Sequence, residues 1–385
     1  MNTALRSTRK NWGRILLADH VKDKPIVVVS IAGAFRMGKS FLMDFFLRYM
    51  RSGCHRDWLG NPNTPLEGFS WRGGSELDTT GIVLWDEIFL VTSTEGQQLA
   101  VLFMDTQGSF DCESTVKDGA TIFALSTMTS SVLVYNLSQN IQEDDLQHLQ
   151  FCTDYGMLAQ QGTRETPFQK LLFLVRDWSY LCDAAYGSEG GRSILDRRLQ
   201  ISHFQHQELK QLRQHIRSCF TEIDCFLMPH PGSKVTTAQT FDGRLTDIED
   251  SFKKYLKDLV PSLLAPDNLL VKEINGQKVS CQDWMNYFLA YVNAFKEGKL
   301  PEPRSLLEVT AEAQNLAAVA TAKEEYTTGM EKVICGGSQP YVNHLELLEH
   351  HLRMREAAKE SFSPAQAQDG RGKIRPAVPR EAAHK

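Results

Sequence analysis

Long apolar runs are missing from this 385-residue sequence. The longest uncharged stretch, Gly119 to Gln142, carries polar residues throughout, among them Ser126, Ser131 and Asn136. A membrane-crossing helix needs roughly 20 mostly apolar residues, so we expect no transmembrane segment in the chain. We interpret the stretch instead as a buried helix followed by a strand. The N-terminus also lacks the apolar core and cleavage site of a secretory signal.

Paired cysteines and an excess of positive charge are missing as well. The eight cysteines are scattered without a CxxC pair or the spacing of metal ligands. This pattern excludes a disulfide framework and indicates reduced thiols in a cytosolic environment. Because the formal net charge is −5, there is no general electrostatic reason to expect a nucleic acid partner.

What the sequence does contain is a strand followed by a complete phosphate-binding motif, GxxxxGK[ST]. The apolar run Ile26 to Ala32 leads into Gly33-Ala34-Phe35-Arg36-Met37-Gly38-Lys39-Ser40, and a helical pattern starts at Phe41. In such a loop, backbone N–H groups and the helix N-terminus surround the phosphates. The lysine adds positive charge, and the serine hydroxyl binds Mg²⁺. We therefore predict a phosphate site at Gly33 to Phe41, with Lys39 and Ser40 as functional residues and Mg²⁺ as cofactor.

The chain downstream alternates between strand and helix patterns. We predict strands at Gly81–Val91, Leu99–Met104, Val132–Leu137, Leu171–Val175 and Cys225–Met228, and helices at Ser114–Met128, Asp144–Leu158 and His206–Arg217. This alternation predicts an α/β fold with a mostly parallel, doubly wound sheet and ligand loops at the carboxyl ends of the strands.

Two prolines near residue 300 predict a domain boundary. Leu300-Pro301-Glu302-Pro303 interrupts a helical pattern and precedes an alanine-rich one. We expect a nucleotide-binding domain over residues 1–298 and a linker at 299–304. A partial all-α middle domain would follow at 305–361, with a disordered tail at 362–385.

Two further segments supply candidate partners for the phosphate loop. Asp105 follows an apolar strand, where a carboxylate would hold the water shell of Mg²⁺, and Gly108 would contact the γ-phosphate. A strand-end Asp before a glycine is also common in simple turns. Thr79 or Thr80 would supply a hydroxyl to Mg²⁺, or would only cap the following strand.

Asp177 is the candidate residue for guanine recognition, and Arg36 is the candidate residue for accelerating hydrolysis. A carboxylate at Asp177 would accept both the N1–H and the amino group of guanine, although the usual NKxD spacing is absent. Arg36 lies inside the phosphate loop, where a guanidinium would neutralise charge between the β- and γ-phosphates; such fingers raise kcat by roughly 10³–10⁵. The alternative is a solvated arginine at a variable loop position.

Together these segments resemble the atlastin family, GB1/RHD3-type large GTPases of the dynamin superfamily near the guanylate-binding proteins. The strings that carry the resemblance are GAFRMGKSF, GFSWRGG, TTGI, MDTQG, VYNLSQNIQEDDLQHLQ, FLVRDWS, CFLMPHPG, KEING and AEAQNLAAVATAK. It implies a P-loop GTPase with Arg36 catalytic and Mg²⁺ held by Ser40, Thr79 and, through water, Asp105. It also implies guanine binding by Arg176 and Asp177.

The resemblance further implies nucleotide contacts from Arg72 and from His230 in a guanine cap. Met37 departs from the lysine expected in the family loop. The family pairs its GTPase domains on GTP, tethers and fuses endoplasmic reticulum membranes and organises the tubular network. We therefore expect a homodimer, or a heterodimer with anchored relatives, at the cytosolic face of that membrane.

The resemblance fades after about Phe362, and we find no counterpart of the family's membrane anchor. This leaves a second expectation, a cytosolic GTP-dependent association module that regulates anchored relatives without fusing membranes. An ATPase or small-molecule kinase, which the phosphate loop alone would permit, is a more distant alternative.

Overall fold

The computed structural model describes residues 12–34, 38–70, 81–106, 116–163, 166–238, 240–295, 301–335 and 342–362. The chain divides into two compact units. One is built from the chain through Met285 together with Phe295, and the other from Asn286–Ala294 and the chain from Pro301 onward. None of the described helices is long and apolar enough to cross a bilayer.

A central sheet dominates the first unit. Its strands are β1 (Ile26–Gly33), β2 (Ile82–Leu84), β3 (Phe89–Thr92), β4 (Gln98–Thr106), β5 (Val132–Ser138), β6 (Phe168–Arg176) and β7 (Phe220–Leu227). Their order is β2-β4-β1-β5-β6-β7, with β3 also paired to β4. The pairs β4-β1-β5-β6-β7 are all parallel, whereas β2 and β3 run antiparallel to β4.

Helices lie between the strands of the sheet and after its last strand. They are α1 (Lys39–Arg51), α2 (Val116–Thr129), α3 (Glu143–Gln147), α4 (Gln150–Thr163), α5 (Gly187–Arg198), α6 (Gln207–Cys219), α7 (Ser233–Thr237) and α8 (Asp250–Leu264). Two 3₁₀ turns, Leu245–Asp247 and Pro266–Asn268, and the short hairpin of β8 (Glu273–Ile274) and β9 (Gln277–Lys278) follow β7. The predicted α/β class with a mostly parallel sheet is confirmed.

Three local predictions are wrong. The helix predicted at Asp144–Leu158 is divided into α3 and α4. The segment Gly81–Val91 forms two short strands, because four residues separate Leu84 from Phe89 whereas only two separate their partners Met104 and Val101 on β4, so the chain bulges between them. The last strand of the sheet begins at Phe220 and not at Cys225.

The prediction also missed α5, whose sequence opens GSEGG. Glycine disfavours a helix interior by roughly 1 kcal/mol. Here, however, a Cβ at Gly191 would lie 2.0 Å from the Cys225 carbonyl oxygen, so glycine is what lets the helix pack directly on β7.

The second unit is helical. It comprises the C-terminal part of α9 (Cys281–Ala294), the long α10 (Pro303–Cys335) and α11 (His344–Phe362). Pro303 begins α10, where its missing N–H is not needed. The Tyr291 hydroxyl and the Thr310 hydroxyl are 3.0 Å apart, and Tyr326 Oη lies 2.7 Å from His351 Nδ1. Residues 363–385 of the predicted tail lie outside the described part of the chain.

Candidate nucleotide-binding site

Two glycines shape the loop that joins β1 to α1. Gly33 has a φ of 145°, and a Cβ there would lie 2.1 Å from the Asn136 carbonyl oxygen on β5. Gly38 has a φ of 66° and is the N-cap residue of α1. The left-handed backbone at Gly38 suits glycine, and it starts α1 so that the first-turn N–H groups face the loop. Such a helix start favours anions.

The Lys39 side chain reaches back to Ala34, just after β1. It is only 6% exposed, and its ammonium donates a 3.0 Å hydrogen bond to the Ala34 carbonyl oxygen. Burial lowers the pKa of Lys39 to about 8, although the charge of the nearby Asp105 carboxylate opposes that shift. A phosphate would supply the negative charge that this buried ammonium needs.

Ser40 and Asp105 meet beside Lys39. Asp105 is completely buried near the end of β4, where Ile31 of β1 is its register partner. The Ser40 hydroxyl donates a 2.5 Å hydrogen bond to Asp105 Oδ2, and the Thr106 N–H donates to Oδ1 at 3.0 Å. A hydroxyl and a carboxylate are hard oxygen ligands, the kind that Mg²⁺ takes together with water and phosphate oxygens.

Arg176 and Asp177 lie at the carboxyl end of β6. Asp177 has a φ of 58°, and its Oδ1 is buried without a hydrogen-bond partner among the described residues. A buried carboxylate oxygen of this kind requires a donor, which guanine offers. The Arg176 guanidinium instead lies at the start of α1, where Nη1 donates a long 3.5 Å hydrogen bond to the Gly38 carbonyl oxygen.

Phe41 and His230 have different surroundings. The Phe41 side chain is buried among aromatic rings, with centroids 5.1 Å from Phe45 and 6.4 Å from Phe252, so the ring packs in the core. His230 follows β7 and is exposed, and its Nδ1 accepts a 3.0 Å hydrogen bond from the Gly232 N–H. A proton on this imidazole in its neutral form is therefore carried on Nε2.

The end of β7 is joined to the Arg176–Asp177 segment through backbone hydrogen bonds. The Met228 N–H donates to the Val175 carbonyl oxygen at 2.8 Å, and the Trp178 N–H donates to the Met228 carbonyl oxygen at 3.0 Å. His230 thus leaves the sheet at the same edge as Asp177, as the sequence predicts for a base-binding segment.

Seven candidate site residues lie outside the described part of the chain: Phe35, Arg36, Met37, Arg72, Thr79, Thr80 and Gly108. Their assignments stay predictions.

Sequence reasoning missed Asp44, one turn into α1. Its side chain is completely buried, and Oδ1 accepts a 2.6 Å hydrogen bond from the Phe69 N–H. A Cβ at Gly68 would lie 2.1 Å from the same oxygen. Asp44 thereby fixes the chain that leads into residues 71–80, which contain Arg72 and Thr79. Its one signal in the sequence is an acidic residue inside the apolar run FLMDFF.

The sheet order, the glycine loop and the convergence of Lys39, Ser40 and Asp105 define a P-loop nucleotide-binding domain of the α/β class. The family model of the guanylate-binding protein N-terminal domain matches residues 7–273. This chain belongs to that family.

Curated relatives agree with this assignment. Human (Homo sapiens) Atlastin-2 is 55% identical over 357 residues, which is 93% of this chain and 61% of that protein. Atlastin-1 of Bos taurus is 56% identical over 349 residues, 91% of this chain and 62% of that protein. Atlastin-2 of Xenopus laevis is 55% identical over 356 residues, 92% and 62% respectively. The resemblance to atlastins is confirmed, and the chain spans about three fifths of the length of these relatives.

Among solved structures, the septin GTPase domain from Chlamydomonas reinhardtii aligns with a TM-score of 0.34 and 11% sequence identity. The alignment covers 63% of this chain and 92% of that chain. At that score the likeness carries no argument about function.

Proposed function

We propose that this chain binds guanine nucleotides with Mg²⁺ and hydrolyses GTP to GDP and phosphate. The observation that carries the proposal is the 2.5 Å contact between Ser40 Oγ and Asp105 Oδ2, beside the buried Lys39 ammonium. It brings the phosphate-binding helix and the strand-end carboxylate to the same point, where the phosphates of a bound nucleotide and their Mg²⁺ belong.

Ser40 and Asp105 would hold the metal ion, Ser40 directly and Asp105 through water, and Thr79 would complete the protein ligands. When bound, Mg²⁺ neutralises charge on the β- and γ-phosphates. Lys39 donates to the phosphate oxygens once they replace the Ala34 carbonyl oxygen as its partner. In hydrolysis a water oxygen bonds to the γ-phosphorus while the bond to the β-γ bridging oxygen breaks, and the water protons leave with inorganic phosphate.

Arg36 and Gly108 would stabilise the negative charge that develops on the phosphates during this step. We assign Arg36 as a catalytic arginine supplied in cis and Gly108 as a backbone donor to the γ-phosphate. The family relationship supports both roles. An arginine finger of this kind is worth about 4–7 kcal/mol of barrier.

Guanine selectivity is assigned to Asp177. The partnerless, buried Oδ1 supports this role, because guanine presents two donors to one carboxylate and adenine does not. Arg72 and His230 would line the same nucleotide from its other sides.

The direct test is phosphate release from GTP in Mg²⁺ and in EDTA, with an Arg36→Ala variant assayed beside the parent. We expect Mg²⁺-dependent release by the parent, whereas Arg36→Ala binds GTP but hydrolyses it roughly 10³-fold more slowly. Hydrolysis by the variant at the parent rate would remove the finger assignment. No release by the parent under any condition would reject the proposal.

The similarity to Atlastin-1 and Atlastin-2 supports a wider role, in which GTP pairs two copies, or this chain with an anchored relative. That pairing would serve endoplasmic reticulum tethering and fusion. Flotation with endoplasmic reticulum microsomes tests it. Flotation that needs a non-hydrolysable GTP analogue and is lost on protein-free liposomes would indicate recruitment through an anchored partner. An absence of flotation in every nucleotide state would contradict any membrane role for this chain.

A further inference from the structure

The Arg176 guanidinium contacts the backbone at the start of α1. It is 5% exposed, and Nη1 reaches the Gly38 carbonyl oxygen at 3.5 Å. The same carbonyl oxygen accepts the first hydrogen bond of α1, from the Leu42 N–H at 3.1 Å. Arg176 therefore contacts the residue whose left-handed backbone starts α1, and its own peptide bond connects it to Asp177.

The Phe252 ring lies against this guanidinium. The Arg176 guanidinium carbon lies 5.4 Å from the centroid of the Phe252 ring, within the range of a cation–π contact. Phe252 is completely buried near the start of α8, and its ring also stacks on Phe41 at 6.4 Å with an interplanar angle of 29°. One ring from α8 thus contacts both α1 and the end of β6.

We propose that Phe252 and Arg176 are a positioning pair. Together they fix the position of Asp177 relative to the start of α1, where the phosphates bind. The inference rests on the proposed function, since it concerns how that nucleotide is held. Neither side chain needs to touch the ligand. A nucleotide bridges the two regions, with its phosphates on α1 and its base at Asp177, so their mutual position decides whether both ends are satisfied at once.

This arrangement predicts an effect on base discrimination. With the Phe252 ring removed, Arg176 loses its cation–π contact and shifts, so seating the phosphates no longer brings Asp177 to the guanine amino group. Guanosine diphosphate then loses affinity relative to inosine diphosphate, which lacks that amino group. A role in core packing alone would weaken both ligands equally and leave their ratio unchanged.

The experiment measures dissociation constants for GDP and IDP by calorimetry, in Mg²⁺, at a temperature where every variant is folded. Phe252→Leu is compared with the parent and with Phe252→Tyr, which keeps the ring. Leu259→Ala serves as the packing control, because Leu259 is also completely buried on α8. We expect Phe252→Leu to lower the GDP preference about fivefold, equal to ~1 kcal/mol. Phe252→Tyr and Leu259→Ala should keep the parent ratio within about twofold.

An unchanged ratio in Phe252→Leu would overturn the positioning role while leaving the proposed function intact. An equal change in Leu259→Ala would do the same, since it would trace the effect to loosened packing of α8. A parent that binds neither nucleotide would reject the proposed function, and this inference with it.

Discussion

Ser40 Oγ and Asp105 Oδ2 lie 2.5 Å apart and join the first turn of α1 to the end of β4. This contact predicts that the two side chains act as one Mg²⁺ site. Ser40→Ala should weaken the binding of Mg²⁺, raising the Mg²⁺ concentration that half-saturates GTP hydrolysis about 10–100-fold. The measurement is a Mg²⁺ titration of phosphate release. Ser52→Ala, which removes a hydroxyl bonded to the Tyr49 carbonyl oxygen at the end of α1, is the control. Equal titration curves for Ser40→Ala and the control would contradict the site.

Lys39 makes nucleotide affinity depend on pH. In the ligand-free protein, burial lowers the pKa of Lys39 to about 8. Phosphates in contact with the ammonium raise that pKa. Below pH 8 the lysine is charged in both states and affinity is constant. Above pH 8 binding takes up a proton, so Kd for GDP should rise about tenfold per pH unit. Calorimetry from pH 7 to 9.5 in buffers of different ionisation enthalpy measures both effects. A Kd that stays flat to pH 9.5 would contradict a lowered pKa of Lys39 that phosphate binding raises.

Gly33 is required by the close approach of β1 to β5. Its φ of 145° and the 2.1 Å that would separate a Cβ from the Asn136 carbonyl oxygen predict that Gly33→Ala destabilises the protein by on the order of 3 kcal/mol. Gly13→Ala is the matched control, because none of the described residues, apart from its chain neighbours and its own helix backbone, lies within 4 Å of a Cβ there. Urea unfolding measures the difference. A Gly33→Ala protein as stable as Gly13→Ala would mean that β1 and β5 are spaced differently.

Lys272 predicts a pH dependence of stability. It is 1% exposed and donates a 2.9 Å hydrogen bond to the Ser130 carbonyl oxygen just beyond the C-terminus of α2. Burial lowers its pKa to about 7, against the smaller opposing effect of Glu273. The unfolded chain, with a pKa near 10.5, binds more protons between pH 7 and 10.5, so this lysine costs stability below pH 7 and the cost falls as pH rises.

Comparison with Lys272→Met isolates this contribution. The unfolding free energy of the parent should rise relative to that of the variant by about 1.4 kcal/mol per pH unit from pH 7.5 to 9.5. Urea unfolding at several pH values gives the difference, in which the other titrating groups cancel. A difference that does not change with pH would contradict the lowered pKa of Lys272.

The parts of this fold that the sequence predicts are those with a local pattern. The run IVVVSIA, the glycines before Lys39, and the positions of Asp105 and Asp177 at strand ends indicate the sheet and the site. Parallel strands bring such ends to one edge.

The parts that sequence reasoning missed depend on contacts between distant segments. The ring of Phe252 under Arg176 and the bond from the Phe69 N–H to Asp44 leave no periodic signal. The segment α5 is helical although its glycines disfavour a helix. The reason is its close packing on β7, which leaves no room for a side chain at Gly191.

The most direct test of the central claim, a guanine-selective nucleotide hydrolase, is GTP hydrolysis in Mg²⁺ with a tenfold excess of ATP as competitor, repeated with Asp177→Asn. We predict that the parent hydrolyses GTP at nearly the same rate with and without ATP. Asp177→Asn should lose at least about tenfold in GTP affinity, since its amide cannot accept both guanine donors. Competition by ATP as effective as by unlabelled GTP would contradict the account, because Asp177 would then not be reading guanine.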